Sequence, residues 1–69
     1  MNIVGRKVRE IRMQKGLTQE QLAAKCGVIG FDISRGTLAK IESATRQVLD
    51  IEVQQLAKAL DVSESDLFV

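Results

Sequence analysis

The 69-residue chain has no histidine, proline, tryptophan or tyrosine, and a single cysteine. Each absence excludes something. With no histidine and no second cysteine, neither a zinc site nor a redox pair has its donors. Cys26 has no partner for an internal disulfide and reads as a buried small apolar residue, which fits a reduced, cytoplasmic setting. Ser34, Ser43, Ser63 and Ser65 lack an evident base to activate them, and carboxylates are scattered, so no enzyme is expected. The five glycines match neither a phosphate-binding loop nor a dinucleotide fingerprint, so no cofactor or small-molecule ligand is expected. There is no signal peptide and no apolar run near the roughly 18 residues of a membrane span, which argues against a membrane. The net charge of +1 argues only weakly for a polyanionic partner.

What remains favours helices. Leu, Ala, Lys, Gln and Glu abound, and 45% of residues are hydrophobic, ordinary for a globular protein. The length fits one domain, residues 1–69, burying roughly 60% of its unfolded surface.

The stretch Leu17 to Glu42 organises the rest. Thr18 is a helix N-cap, Gln21 completes a capping box three residues on, and Leu17 with Leu22 makes a hydrophobic staple. Ser34 repeats the grammar, with Ile33 and Leu38 as its staple. Two capped helices this close, joined through a Gly-containing turn, spell a helix-turn-helix, whose second helix commonly enters a DNA major groove.

In chain order, the spacing predicts a first helix over 3–15, with Val4, Val8 and Ile11 on one stripe and Gly16 stopping it. A second helix runs over 18–26, with Leu22, Ala23 and Cys26 on one face and Gly27 ending it. Gly27 to Ile33 is longer than the usual three- or four-residue turn. Val28, Ile29, Phe31 and Ile33 are too apolar to be freely solvated, so some should tuck into the core edge, with Gly30 permitting a bend. The third helix, 34–42, turns Leu38 and Ile41 inward and leaves Arg35, Gly36, Ala39 and Lys40 outside. Ser43 to Leu49 is a connection; Val48 and Leu49 either fold back on the core or form a partner surface. Asp50 caps a fourth helix over 51–60, with Val53, Leu56, Ala57 and Leu60 inward, and Ser63 caps a last turn over 64–68. The expectation is an all-α bundle of five helices.

Charge is unevenly spread. Residues 1–15 hold five basic side chains against Glu10, whereas residues 50–69 hold five acidic ones against Lys58. One end can face phosphates while the other faces away; the alternative is that both sets are solvated helix faces. In the third helix, Arg35 sits in the first turn, where a guanidinium can donate two bonds to guanine, and Lys40 lies about 140° further round the helix. Ser34, Thr37 and Gln19 are placed to bind phosphates, helped by helix N-terminal N–H groups. Gly36 either lets the backbone approach a groove closely or is a tolerated surface glycine.

Four stretches carry a resemblance: Arg12 to Ala23, Gly27–Val28, Ser34 to Glu42 (SRGTLAKIE), and Leu56 to Phe68. Together they resemble the phage repressor and Cro-type (XRE-like) helix-turn-helix family over about Val8 to Phe68. The resemblance implies a lambda-repressor-like DNA-binding fold. It implies base reading by Ser34, Arg35, Gly36 and Lys40, phosphate contact by Gln19, Thr45 and Arg46, and a structural ion pair between Arg12 and Glu42. It also implies a homodimer on two half-sites roughly 34–36 Å apart; Val48, Leu49, Phe68 and Val69 are candidates for the apolar partner surface, the alternative for Val48 and Phe68 being that they complete the monomer core. Two departures stand out. Five residues, Ile29 to Ile33, are extra before the third helix. Ser43–Ala44 replaces the glycine usual after the Ile–Glu pair, so that turn is expected to close another way. The function expected is sequence-specific binding of double-stranded DNA by a transcriptional regulator. The competing expectation is a protein-interaction or antitoxin-like module that keeps the fold without operator binding.

Overall fold

N-cap side chains set where two of the helices start, and left-handed residues set where all of them stop. The computed structural model describes residues 3–68. Among them are four α-helices and no strand: α1 Gly5–Gln14, α2 Gln19–Val28, α3 Arg35–Glu42 and α4 Asp50–Leu60, followed by a 3-10 turn, Glu64–Leu67. The expected fifth helix is therefore only this turn. Its four residues close with i→i+3 bonds, Asp66 N–H to Ser63 O at 3.1 Å and Phe68 N–H to Ser65 O at 3.1 Å; so short a segment does not sustain an α-helix by itself.

The start of α2 is doubly capped. Thr18 Oγ1 accepts from Gln21 N–H at 3.0 Å, and Gln21 Oε1 accepts from Thr18 N–H at 2.8 Å. Ser34 Oγ accepts from Thr37 N–H at 3.1 Å and starts α3. At α4 the cap differs from the sequence expectation. Asp50 is the first helical residue, not the cap; the N-cap is Leu49, and Glu52 accepts the Leu49 N–H at 3.0 Å.

All four helices stop alike, with one residue in the left-handed region and two closing backbone bonds. Gly16 (φ +71°) ends α1, with Gly16 N–H to Met13 O and Leu17 N–H to Arg12 O both at 3.0 Å. For α2 the stop is Gly30 (φ +89°), not Gly27, and Phe31 N–H closes on Cys26 O at 2.8 Å. Gly27 is an ordinary helical residue, because the closing bonds form only where Phe31 and Ile33 fold onto the core edge. Gly27 and Val28 thus extend α2 beyond its expected end, and the extra residues before α3 pack, with Ile33 buried and Ile29 and Phe31 against the core. Of the four apolar residues of this stretch, only Val28 stands out in solvent. After α3 the turn does not close another way. Ala44 itself adopts φ +62°, Thr45 N–H reaches Lys40 O at 3.0 Å, and the Ser43 and Thr45 hydroxyls donate to the same carbonyl, each at 3.2 Å. Asp61 (φ +59°) ends α4.

The core is one cluster. Val4, Val8 and Ile11 from α1 and its start meet Leu22 and Cys26 from α2, Leu38 and Ile41 from α3, and Val53, Leu56, Ala57 and Leu60 from α4, with Leu67 closing one side. α3 contributes only two apolar side chains to it, so its placement depends on what else holds it.

Candidate nucleic-acid interface

A third inward residue holds α3. Glu42 is 7% exposed, and its carboxylate is the meeting point of three helices. Arg12 Nε donates to Oε2 at 2.7 Å and Arg12 Nη2 to Oε1 at 3.1 Å, a fork that fits both carboxylate oxygens. Gln19 Nε2 donates to Oε1 at 3.2 Å, and Arg12 Nη1 donates to Leu17 O at 2.7 Å. The first helix, the turn before α2, the start of α2 and the end of α3 are thereby joined at one charge-compensated point. Removing two charges from water is costly unless both are paired and their remaining bonds are made, as they are here.

Anchored on that side, α3 turns the opposite face outward. Ser34, Arg35, Gly36 and Lys40 are exposed, and Thr37 and Ala39 are half-buried. Ser34 Oγ also donates to Thr37 Oγ1 at 3.0 Å, so both hydroxyls are ordered at the helix start. Nothing but Ser34 Oγ, at 3.9 Å, comes near the space a Cβ on Gly36 would take, so the helix surface there is open.

The residues expected to meet phosphate are all bonded within the protein. Gln19 is tied to Glu42 and Thr45 to Lys40 O. Arg46 is tied to Glu52, Nη1 to Oε1 at 3.0 Å and Nη2 to Oε2 at 2.8 Å, and Nη1 also donates to Gln47 O at 3.2 Å. The Arg46 hydrogen bonds hold the Glu52 carboxyl below the usual glutamate range, helped by the Leu49 N–H. The same fork raises the Arg46 guanidinium. Sequence reasoning missed Glu52 as this partner and Gln19 as a partner of Glu42. An acidic residue at the third helical position of α4 was the available signal for the first. A cleft of about 260 Å³ opens between α1, α2 and α3, bordered by Arg9, Arg12, Gln19, Ala39, Glu42 and Ser43. Among the described residues no group of acidic or sulfur ligands is arranged to hold a metal ion, and no helix is long and apolar enough to cross a membrane.

A buried-sided second helix with an exposed polar face, set against a capped first helix, defines a class. The chain belongs to the helix-turn-helix family, matched over residues 8–67, and is a DNA-binding transcriptional regulator. Its relatives include the control protein C.BamHI of Bacillus amyloliquefaciens, 38% identical over 66 residues, covering 94% of this chain and 75% of the relative. An uncharacterized HTH-type transcriptional regulator, y4dJ, of Sinorhizobium fredii is 35% identical over 65 residues, covering 94% of this chain and 78% of the relative. Among solved structures, the restriction-modification controller protein C.AhdI of Aeromonas hydrophila superposes with a TM-score of 0.83 at 34% identity, covering 97% of this chain and 94% of that one.

Proposed function

We propose that the chain reads a specific duplex sequence through α3 in the major groove, acting as one cytoplasmic, non-enzymatic domain. The observation that carries this is the division of α3. Leu38, Ile41 and Glu42 fix its inner face, while Arg35, Gly36 and Lys40 stand exposed on the other. Arg35 and Lys40 read base edges, with Ser34 and the open backbone at Gly36 setting the approach. Gln19, Thr37, Thr45 and Arg46 fix the register on the phosphates.

A homodimer on paired half-sites goes with this reading. Leu49 and Phe68 are 62% and 56% exposed, and Ile51, which the sequence did not single out, is 56% exposed. These are the apolar surfaces offered to a second copy. Val48 is half-buried against the core, and Val69 lies outside the described residues. The narrower reading is a controller of restriction–modification genes, supported by the two controller relatives.

Selection of binders from a random duplex pool tests the proposal. Enrichment of a short inverted repeat supports a sequence-specific dimer; a single short site supports a monomeric reader. No enrichment, with no salt-sensitive binding to bulk duplex, sinks the proposal in favour of a protein-interaction module.

A further inference from the structure

We propose that Glu52, an acidic residue, strengthens DNA binding by positioning Arg46. The inference rests on the reading of Arg46 as a phosphate contact and adds the residue that makes that contact effective.

Arg46 lies in the connection between α3 and α4, where a long side chain has many rotamers to lose on binding. Glu52 removes that freedom in advance. It sits on the first turn of α4, is 8% exposed, and is itself held by the Leu49 N–H at 3.0 Å. Its two oxygens take one N–H from each terminal nitrogen of Arg46, at 3.0 and 2.8 Å, fixing the plane of the guanidinium. The Arg46 side chain still keeps 35% of its surface exposed. A side chain exposed to that extent, with its guanidinium held in one orientation, is a preorganised phosphate donor, because the ordering cost is met in the free protein.

Simple charge counting gives the opposite sign. Glu52 cancels Arg46, so removing its charge should tighten binding to a polyanion, most at low salt. Positioning requires the reverse, a loss of affinity at every salt concentration.

Affinity for a duplex enriched by the wild-type protein, followed across a salt series, separates the two. Glu52→Gln keeps an oxygen for the Leu49 N–H but gives up the ionic fork. Arg46→Lys keeps the charge and leaves the Glu52 cap intact while losing the planar match. We expect each to weaken binding about three- to tenfold. The double variant should be no weaker than the singles by more than a small factor, because both remove one interaction. The slope of log affinity against log salt should be kept in Glu52→Gln, since the cation still meets its phosphate, but should fall by about one in Arg46→Ala. Thermal unfolding of each variant checks that the fold is intact, and Arg46→Lys carries the test if Glu52→Gln is destabilised. Unchanged or tighter binding by Glu52→Gln and Arg46→Lys, with Arg46→Ala weakened, overturns the positioning role and leaves the phosphate contact standing. If Arg46→Ala also binds as wild type, the contact itself fails and the inference with it.

Discussion

Arg12 and Glu42, thirty residues apart in sequence, meet in a two-point ion pair with side chains only 11% and 3% exposed. Removing either partner leaves the other charge buried without compensation. Arg12→Ala and Glu42→Ala should each lower unfolding stability by about 3–5 kcal/mol, measured by urea denaturation. Gln19→Ala, which removes one weaker bond to the same carboxylate, should cost about 0.5–1.5 kcal/mol. A change below about 1 kcal/mol for Arg12→Ala would mean that packing alone holds α3 in place.

The exposed face of α3 should behave in the opposite way. Arg35→Ala should weaken binding to the selected duplex by about 1–3 kcal/mol and relax preference at one base position. Lys40→Ala should also weaken it. Both side chains are exposed, so unfolding midpoints should move by no more than about 0.5 kcal/mol in either case. Equal loss on selected and unrelated duplexes for Arg35→Ala would remove it from base reading.

Three small residues at helix ends give a signed set. Gly30 has φ +89°, so Gly30→Ala should destabilise by about 1–2 kcal/mol from backbone strain alone, since nothing lies within 4 Å of the added methyl. Gly27 is helical with open space around it, and Gly27→Ala should stabilise by about 0.5–1 kcal/mol. Ala44 holds φ +62°, so Ala44→Gly should stabilise by a similar amount, about 0.5–1 kcal/mol. Thermal unfolding reads all three; a stabilising Gly30→Ala would place the end of α2 elsewhere.

Burial pushes the Cys26 thiol above its ordinary range. The folded state therefore favours the protonated thiol. That contribution is whole below the unfolded thiol's value of about 8.5 and is lost as pH rises from there towards the raised folded value. Unfolding stability should fall with alkaline pH in the wild type, and this part of the fall should vanish in Cys26→Ala. Labelling by a thiol reagent should proceed only as fast as the protein opens; rapid labelling of the native protein would contradict the burial.

Local grammar was the most legible part of the chain. Thr18 with Gln21, and Ser34 with the Thr37 N–H, are contacts between residues three apart, which a sequence displays directly. The inward stripes of Leu22 and Cys26, and of Leu38 and Ile41, follow from helical spacing in the same way. Gly27 and Gly30 carry the same stop signal three residues apart. Choosing between them depends on whether Phe31 and Ile33 reach the core, a tertiary fact. Ala44 gave no signal, because alanine is not a residue expected at positive φ; two hydroxyls bonding to the Lys40 carbonyl help hold it there. The Arg46–Glu52 fork spans an irregular connection, where no period fixes which side chains meet. The face of α3 could be listed as outward from sequence, but the internal partners of Gln19, Thr45 and Arg46 could not.

The two-sided character of α3 also bears on how such a regulator changes its target. The positions that hold the helix, Leu38, Ile41 and Glu42, alternate along it with the exposed positions 35, 36 and 40. If the second set reads bases, as proposed, substitutions there leave the first untouched, so new operator preferences would be acquired in single steps without passing through unfolded variants. Transplanting the helix into a relative is more demanding: Glu42 must arrive where an arginine and a glutamine already wait at the positions of Arg12 and Gln19. On that reading recognition is free to drift, while the seat of the helix resists change unless Arg12 and Glu42 change together.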